Sequence, residues 1–83
     1  MSKVTATHDP EADAVWIKLQ QGVYAATREL DSRRLVDEAV DGTALSVELL
    51  DVSDGVDVAG LPASQEIAQA LRRLGIRILQ PAT

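Results

Sequence analysis

The stretch His8-Asp9-Pro10-Glu11-Ala12-Asp13-Ala14-Val15-Trp16-Ile17-Lys18-Leu19 sets an acidic turn directly against an apolar strand. Pro10 has no N–H and a fixed φ, and the Asp9 carboxylate can accept hydrogen bonds from amides two or three residues on. From Ala14 the pattern has period two. Val15, Ile17 and Leu19 fall on one face, and Ala14, Trp16 and Lys18 on the other. Upstream, residues 3–8 alternate as well, with Val4, Ala6 and His8 on one side. Two strands joined by a turn are the expected start of an antiparallel sheet.

Three more strand patterns follow. Gln20-Gln21-Gly22 turns the chain into residues 24–30, and Asp31-Ser32-Arg33-Arg34 is polar enough to turn again. Residues 35–40 form the fourth strand. Asp41-Gly42 is a hairpin signal, because glycine tolerates positive φ and aspartate is a good partner there. Ala44–Leu50 is the fifth, with Leu45, Val47 and Leu49 opposed to Ala44, Ser46, Glu48 and Leu50. Residues 51–60 read as a loop with apolar pegs.

A helix pattern comes next. Pro62 lies near its start, Ser64 is the expected N-cap and Glu66 falls in the first turn. Ile67, Leu71 and Leu74 recur at helical spacing, and Arg72 and Arg73 suit the negative end of the dipole. Gly75 is the expected left-handed cap, with Ile76 touching Leu71 as in a Schellman motif. Residues 76–79 are expected as a short edge strand before Pro81. The fold class is α+β: a small antiparallel β-meander of about five strands with one C-terminal helix packed on one face.

Length and composition bound the rest. Eighty-three residues make one domain. The apolar fraction is 46%, drawn from Val, Leu, Ile and Ala, with no Phe, one Trp and one Tyr. A core with so few large side chains leaves room for a partner to add buried area. There is no Cys, which removes disulfide and thiolate chemistry and makes cytoplasm the natural compartment. No apolar run suits a membrane span or a signal peptide. A net charge of −5, with sparse cations that cluster no further than the small pairs Arg33-Arg34 and Arg72-Arg73, disfavours binding to a polyanionic nucleic acid.

Candidate chemistries are few. Asp9, Glu11 and Asp13 alternate like calcium-loop ligands, but the sixth and twelfth positions are Ala14 and Gln20, where such a loop needs Gly and Glu. A capped, solvated acidic turn is the simpler reading. His8 is the sole His, with no second ligand at metal spacing and no nucleophile beside it. Asp37 and Glu48 lie on adjacent hairpin strands and could act as an acid–base pair if one were desolvated. A place on the solvated face, or pairing with Arg28, Arg33 or Arg34 across the sheet, is the more ordinary fate. No phosphate loop, dinucleotide fingerprint or nucleophile elbow is present, so no cofactor is expected. Trp16 points away from Val15, Ile17 and Leu19. It is either an exposed hot spot or packed under the 51–60 loop.

These residues carry a family resemblance. The run His8 to Ile17, the segment Leu35-Val36-Asp37, the turn Asp41-Gly42 and the run Val47-Glu48-Leu49-Leu50 resemble the DUF2283 family of YuzE-like proteins. That pattern reads roughly Tyr-Asp-Pro-Glu-Ala-Asp-Ala-Leu-Tyr-Ile, then an acidic hairpin with Asp-Gly, then an apolar strand with a Glu. His8 and Trp16 stand where the family often has Tyr, and Ser46 where it often has Gly. Residues 55–62 look like a tail of some members, so the likeness covers residues 3–62. The resemblance implies a fold and no particular reaction. Some members are encoded beside small toxin-like proteins, which implies an antitoxin-like role as one alternative. The favoured expectation is a non-enzymatic binding module that forms a homodimer or docks a protein partner. Its contact residues would be Trp16 and Ala14, joined by Leu30 and Leu50 if register allows. A small enzyme using Asp37, Glu48 and His8 is the competing class.

Overall fold

The structure is a computed structural model and describes residues 4–79. Five strands form one open antiparallel sheet: β1 (Thr5–Asp9), β2 (Ala14–Lys18), β3 (Ala26–Asp31), β4 (Arg34–Glu38) and β5 (Ala44–Leu50). In space they run β1-β2-β5-β4-β3. Tight turns link β1 to β2, β3 to β4 and β4 to β5. The segment 19–25 carries the chain from β2 past β5 and β4 to the far edge. The last strand made is therefore the central one.

Each turn follows from its residues. The Asp9 carboxylate accepts the Ala12 amide at 3.2 Å, and Asp13 closes the first turn in the left-handed region at φ 54°. Asp and Asn tolerate that region best among residues with a Cβ. At the β4–β5 turn Gly42 takes φ 87°, the Ala39 amide donates to the Thr43 carbonyl at 2.9 Å, and Asp41 accepts the Thr43 amide at 3.0 Å.

Among the described residues one α-helix, α1 (Ser64–Arg73), covers one face of the sheet. Ile67 and Leu71 are completely buried against Val15, Ile17, Val36, Val47 and Leu49. Two helix expectations are corrected. Ser64 is the first helical residue; Ala63, in the left-handed region, holds the cap position and makes no side-chain cap. Leu74 is 37% exposed, because it is the cap residue where the chain leaves the helix. Ile76 takes the buried position instead. Its amide bonds the Leu71 carbonyl at 2.9 Å and the Gly75 amide bonds that of Arg72 at 3.0 Å, which is the Schellman pattern.

The loop after β5 opens with a 3-10 turn (Val52–Asp54), and its Val52, Val56 and Leu61 join the core. Residues 76–79 do not extend the sheet. They make one parallel bridge, Val56 to Ile78, so the expected edge strand is instead a clasp on this loop. Lys3 and Pro81 lie outside the described residues. No described helix is long and apolar enough to cross a membrane.

Candidate functional site

The helix covers one face of the sheet, so the side chains on the other face are the ones left to meet a partner. Cross-strand register sorts them into rows. One row reads Thr7, Trp16, Glu48, Leu35, Glu29, and the next pairs Asp9 with Ala14 and Ala14 with Leu50. Trp16, Ala14, Leu50 and Leu35 thus form an apolar arc around the exposed Glu48. Trp16 is 44% exposed. The 51–60 loop does not cover it, because that loop turns its valines into the core on the opposite side.

Leu30 does not join this arc. It packs against the core cluster on the helix side. A register shift between Glu29 and Asp31 sits at Leu30, and such a bulge breaks the alternation from which a face would be counted.

The third row is polar: Thr5, Lys18, Ser46, Asp37, Thr27. The Ser46 hydroxyl, 5% exposed, donates to Asp37 Oδ2 at 2.7 Å, and Thr27 Oγ1 donates to Asp37 Oδ1 at 2.6 Å. Thr27 has spent its one proton, so Tyr24 is the donor in their 2.8 Å contact. Asp37 thus accepts from two hydroxyls, and this chain of bonds laces β3, β4 and β5 together.

The proposed acid–base trio is not assembled. Asp37 and Glu48 share the uncovered face. His8 faces Val15 across the β1–β2 pair and so lies on the helix side. Nor do the expected arginines pair with Asp37 or Glu48. Arg28 meets Glu38 at 2.9 Å, Arg33 lies 3.5 Å from Asp51 and 3.3 Å from Asp54, and Arg34 meets Asp31 at 2.8 Å.

Arg34 has the most structural role of the three. Its Nη1 also donates to the carbonyls of Asp57 at 3.0 Å and Ala59 at 2.6 Å, tying the long loop to β4. Asp31 is held below the usual carboxylate range, first by the Arg33 amide and then by the Arg34 side chain. Asp41 is likewise lowered, first by the Thr43 hydroxyl and then by its amide. A cavity of about 260 Å³ lies beside Arg33 and Arg34, walled by Leu49, Val56 and Leu79. The guanidiniums at its rim already face carboxylates, so they offer little to an incoming anion.

The acidic turn is also occupied with internal work. Asp13 accepts the Ser53 amide at 3.0 Å and the Ser53 hydroxyl at 2.7 Å, and its carbonyl accepts the Val52 amide. Among the described residues no group of three His, Asp or Glu side chains is placed to hold a metal ion. The Asp13–Ser53 contact spans the chain, and no local pattern announces it. Comparison with family models, with curated proteins and with solved structures finds no match.

Proposed function

We propose that this chain is a small non-enzymatic binding module that self-associates through the β1–β2 half of its sheet, with Trp16 at the contact. The observation that carries this is the exposed position of the sole Trp on the face the helix leaves bare. Trp is enriched where interfaces derive most of their energy, because it buries a large area with few rotatable bonds. Ala14 and Leu50, paired directly beside it, extend the apolar surface. The separation of His8 from Asp37 and Glu48 supports binding over catalysis. Membership of the DUF2283 family belongs to the same proposal. It rests on the quoted motifs, which here build the β1–β2 turn and the β4–β5 hairpin.

The test is Trp16→Glu. The wild-type chain should run as a dimer by size exclusion with light scattering at about 100 μM, well above the micromolar range of an ordinary weak interface. The variant should run as a monomer of 8.9 kDa with unchanged far-ultraviolet circular dichroism. A monomeric wild type, or a variant that stays dimeric, removes the assignment.

A further inference from the structure

An open sheet has two edges, and here they differ in kind. β3 is guarded. It carries Arg28, Glu29 and Asp31 and a bulge, which are the usual devices against pairing with another chain. β1 has none of these. Its sequence is Thr-Ala-Thr-His-Asp, its ladder to β2 runs without a shift, and its one carboxylate stands at the end. We infer that β1 is the docking edge, and that its occupant is the β1 strand of a second copy, antiparallel, making a continuous ten-stranded sheet. This rests on the reading that the chain self-associates, and it gives that contact its geometry.

Symmetry selects the partner. Two copies joined edge to edge by a two-fold axis share their sheet faces, so opposed residues must come from the same face. For β1, one such register pairs every residue: Thr7 meets the second copy's Thr7, Ala6 its His8, and Thr5 its Asp9. No like charges meet, and facing threonines are a favourable cross-strand pair. For β3, the symmetric registers nearest full overlap oppose Arg28 to Arg28 or Glu29 to Glu29. Like charges directly opposite repel, so the same operation fails at that edge.

The neighbours of β1 complete the contact. Trp16 is the cross-strand partner of Thr7. The pairing therefore sets the row Trp16, Thr7, Thr7, Trp16 across the seam. On the other side α1 runs closest to β1, so the two helices flank the same axis. A face-to-face dimer lacks these advantages, because it would press the exposed Glu48 at the centre of the arc into a dry contact.

The experiment uses a single introduced cysteine, since the chain has none of its own. Directly opposed residues of an antiparallel pair have Cα atoms about 4.5–5.5 Å apart, inside the range a disulfide spans. Thr7→Cys should oxidise with glutathione disulfide to a covalent dimer on non-reducing gels, whereas Ala26→Cys on the β3 edge should stay mostly monomeric. Thr7→Lys should give a monomer by light scattering with native circular dichroism. Efficient cross-linking at Ala26 but not Thr7, or equal cross-linking at both, overturns the edge assignment. A wild-type monomer removes both readings. A dimer that Trp16→Glu breaks but Thr7→Cys does not trap removes only this one. A dimer trapped at Thr7 and unaffected by Trp16→Glu removes only the role of Trp16.

Discussion

Truncation of Leu71 tests whether the helix–sheet contact is what holds the fold together. Leu71 is wholly buried, in one cluster with Ile67, Val15 and Leu49. Leu71→Ala removes three carbons, worth about 2.4 kcal/mol of transfer free energy at roughly 0.8 kcal/mol each. A residual cavity adds to this, which brings the expected loss to about 2–5 kcal/mol. A domain of 83 residues has a total of about 4–12 kcal/mol at ordinary per-residue values. At the low end of that range, a 3 kcal/mol loss leaves roughly one molecule in six unfolded in plain buffer. Urea denaturation followed by circular dichroism gives the answer. With a slope of about 1–3 kcal/mol/M, the midpoint should fall by roughly 1–3 M. Leu74→Ala is the internal control. It lies three residues along the same helix but is 37% exposed, so it should cost under about 1 kcal/mol. A loss below about 0.5 kcal/mol for Leu71→Ala would mean that α1 does not dock on the sheet.

Three other outcomes are expected. Asp13→Ala should cost about 1–3 kcal/mol, losing both Ser53 bonds and placing a methyl side chain at φ 54°. Asp13→Gly should cost less, since glycine accepts that φ; equal costs in thermal melts would refute the strain component. Asp31 has its folded pKa below the unfolded value, so the stability it contributes is present above about pH 4 and is lost as pH falls through the folded value. Asp31→Asn should accordingly flatten the acid side of the stability–pH curve, and a variant that keeps the wild-type slope refutes the assignment. Finally, the melting temperature should not move with millimolar Ca²⁺ or EDTA. A real site stabilises by about 2.7 kcal/mol at a hundredfold excess over Kd, so a chelator-reversed shift of several degrees would refute the internal role given to the acidic turn.

Local pattern made the strands legible, and its limits lie where local pattern stops. Ala44–Leu50 alternates in sequence, and its Leu45, Val47 and Leu49 are buried on the helix side; Ser46 is buried too, on the other face, where it bonds Asp37. The Gly75–Ile76 pair was readable because a Schellman cap involves only neighbours in sequence. Leu30 was not readable, since the bulge at its position decouples residue count from face. Ser64 failed as a cap because Ala63 takes the left-handed turn that enters the helix. The place of β5 between β2 and β4, and the Asp13–Ser53 clasp, depend on contacts between distant segments. The candidate site was half legible: alternation placed Trp16 and Ala14 on the bare face and separated them from Val15 and Ile17. The guarded and unguarded edges could be told apart only once strand order was known.

That strand order has a consequence for how the chain is made. β2 has no inner neighbour until β5 arrives, and β5 ends 32 residues after β2 (50 − 18). At roughly 5–20 residues per second, a ribosome needs about 2–6 s to supply it. For that interval Val15 and Ile17 lie on an emerged hairpin with nothing to bury them. Its unguarded β1 edge is exposed on a polysome at the moment when identical hairpins are emerging nearby. The nascent chain is therefore most open to mispairing before its sheet has a centre, and the rate at which residues 19–50 leave the ribosome sets how long β2 stays an open edge.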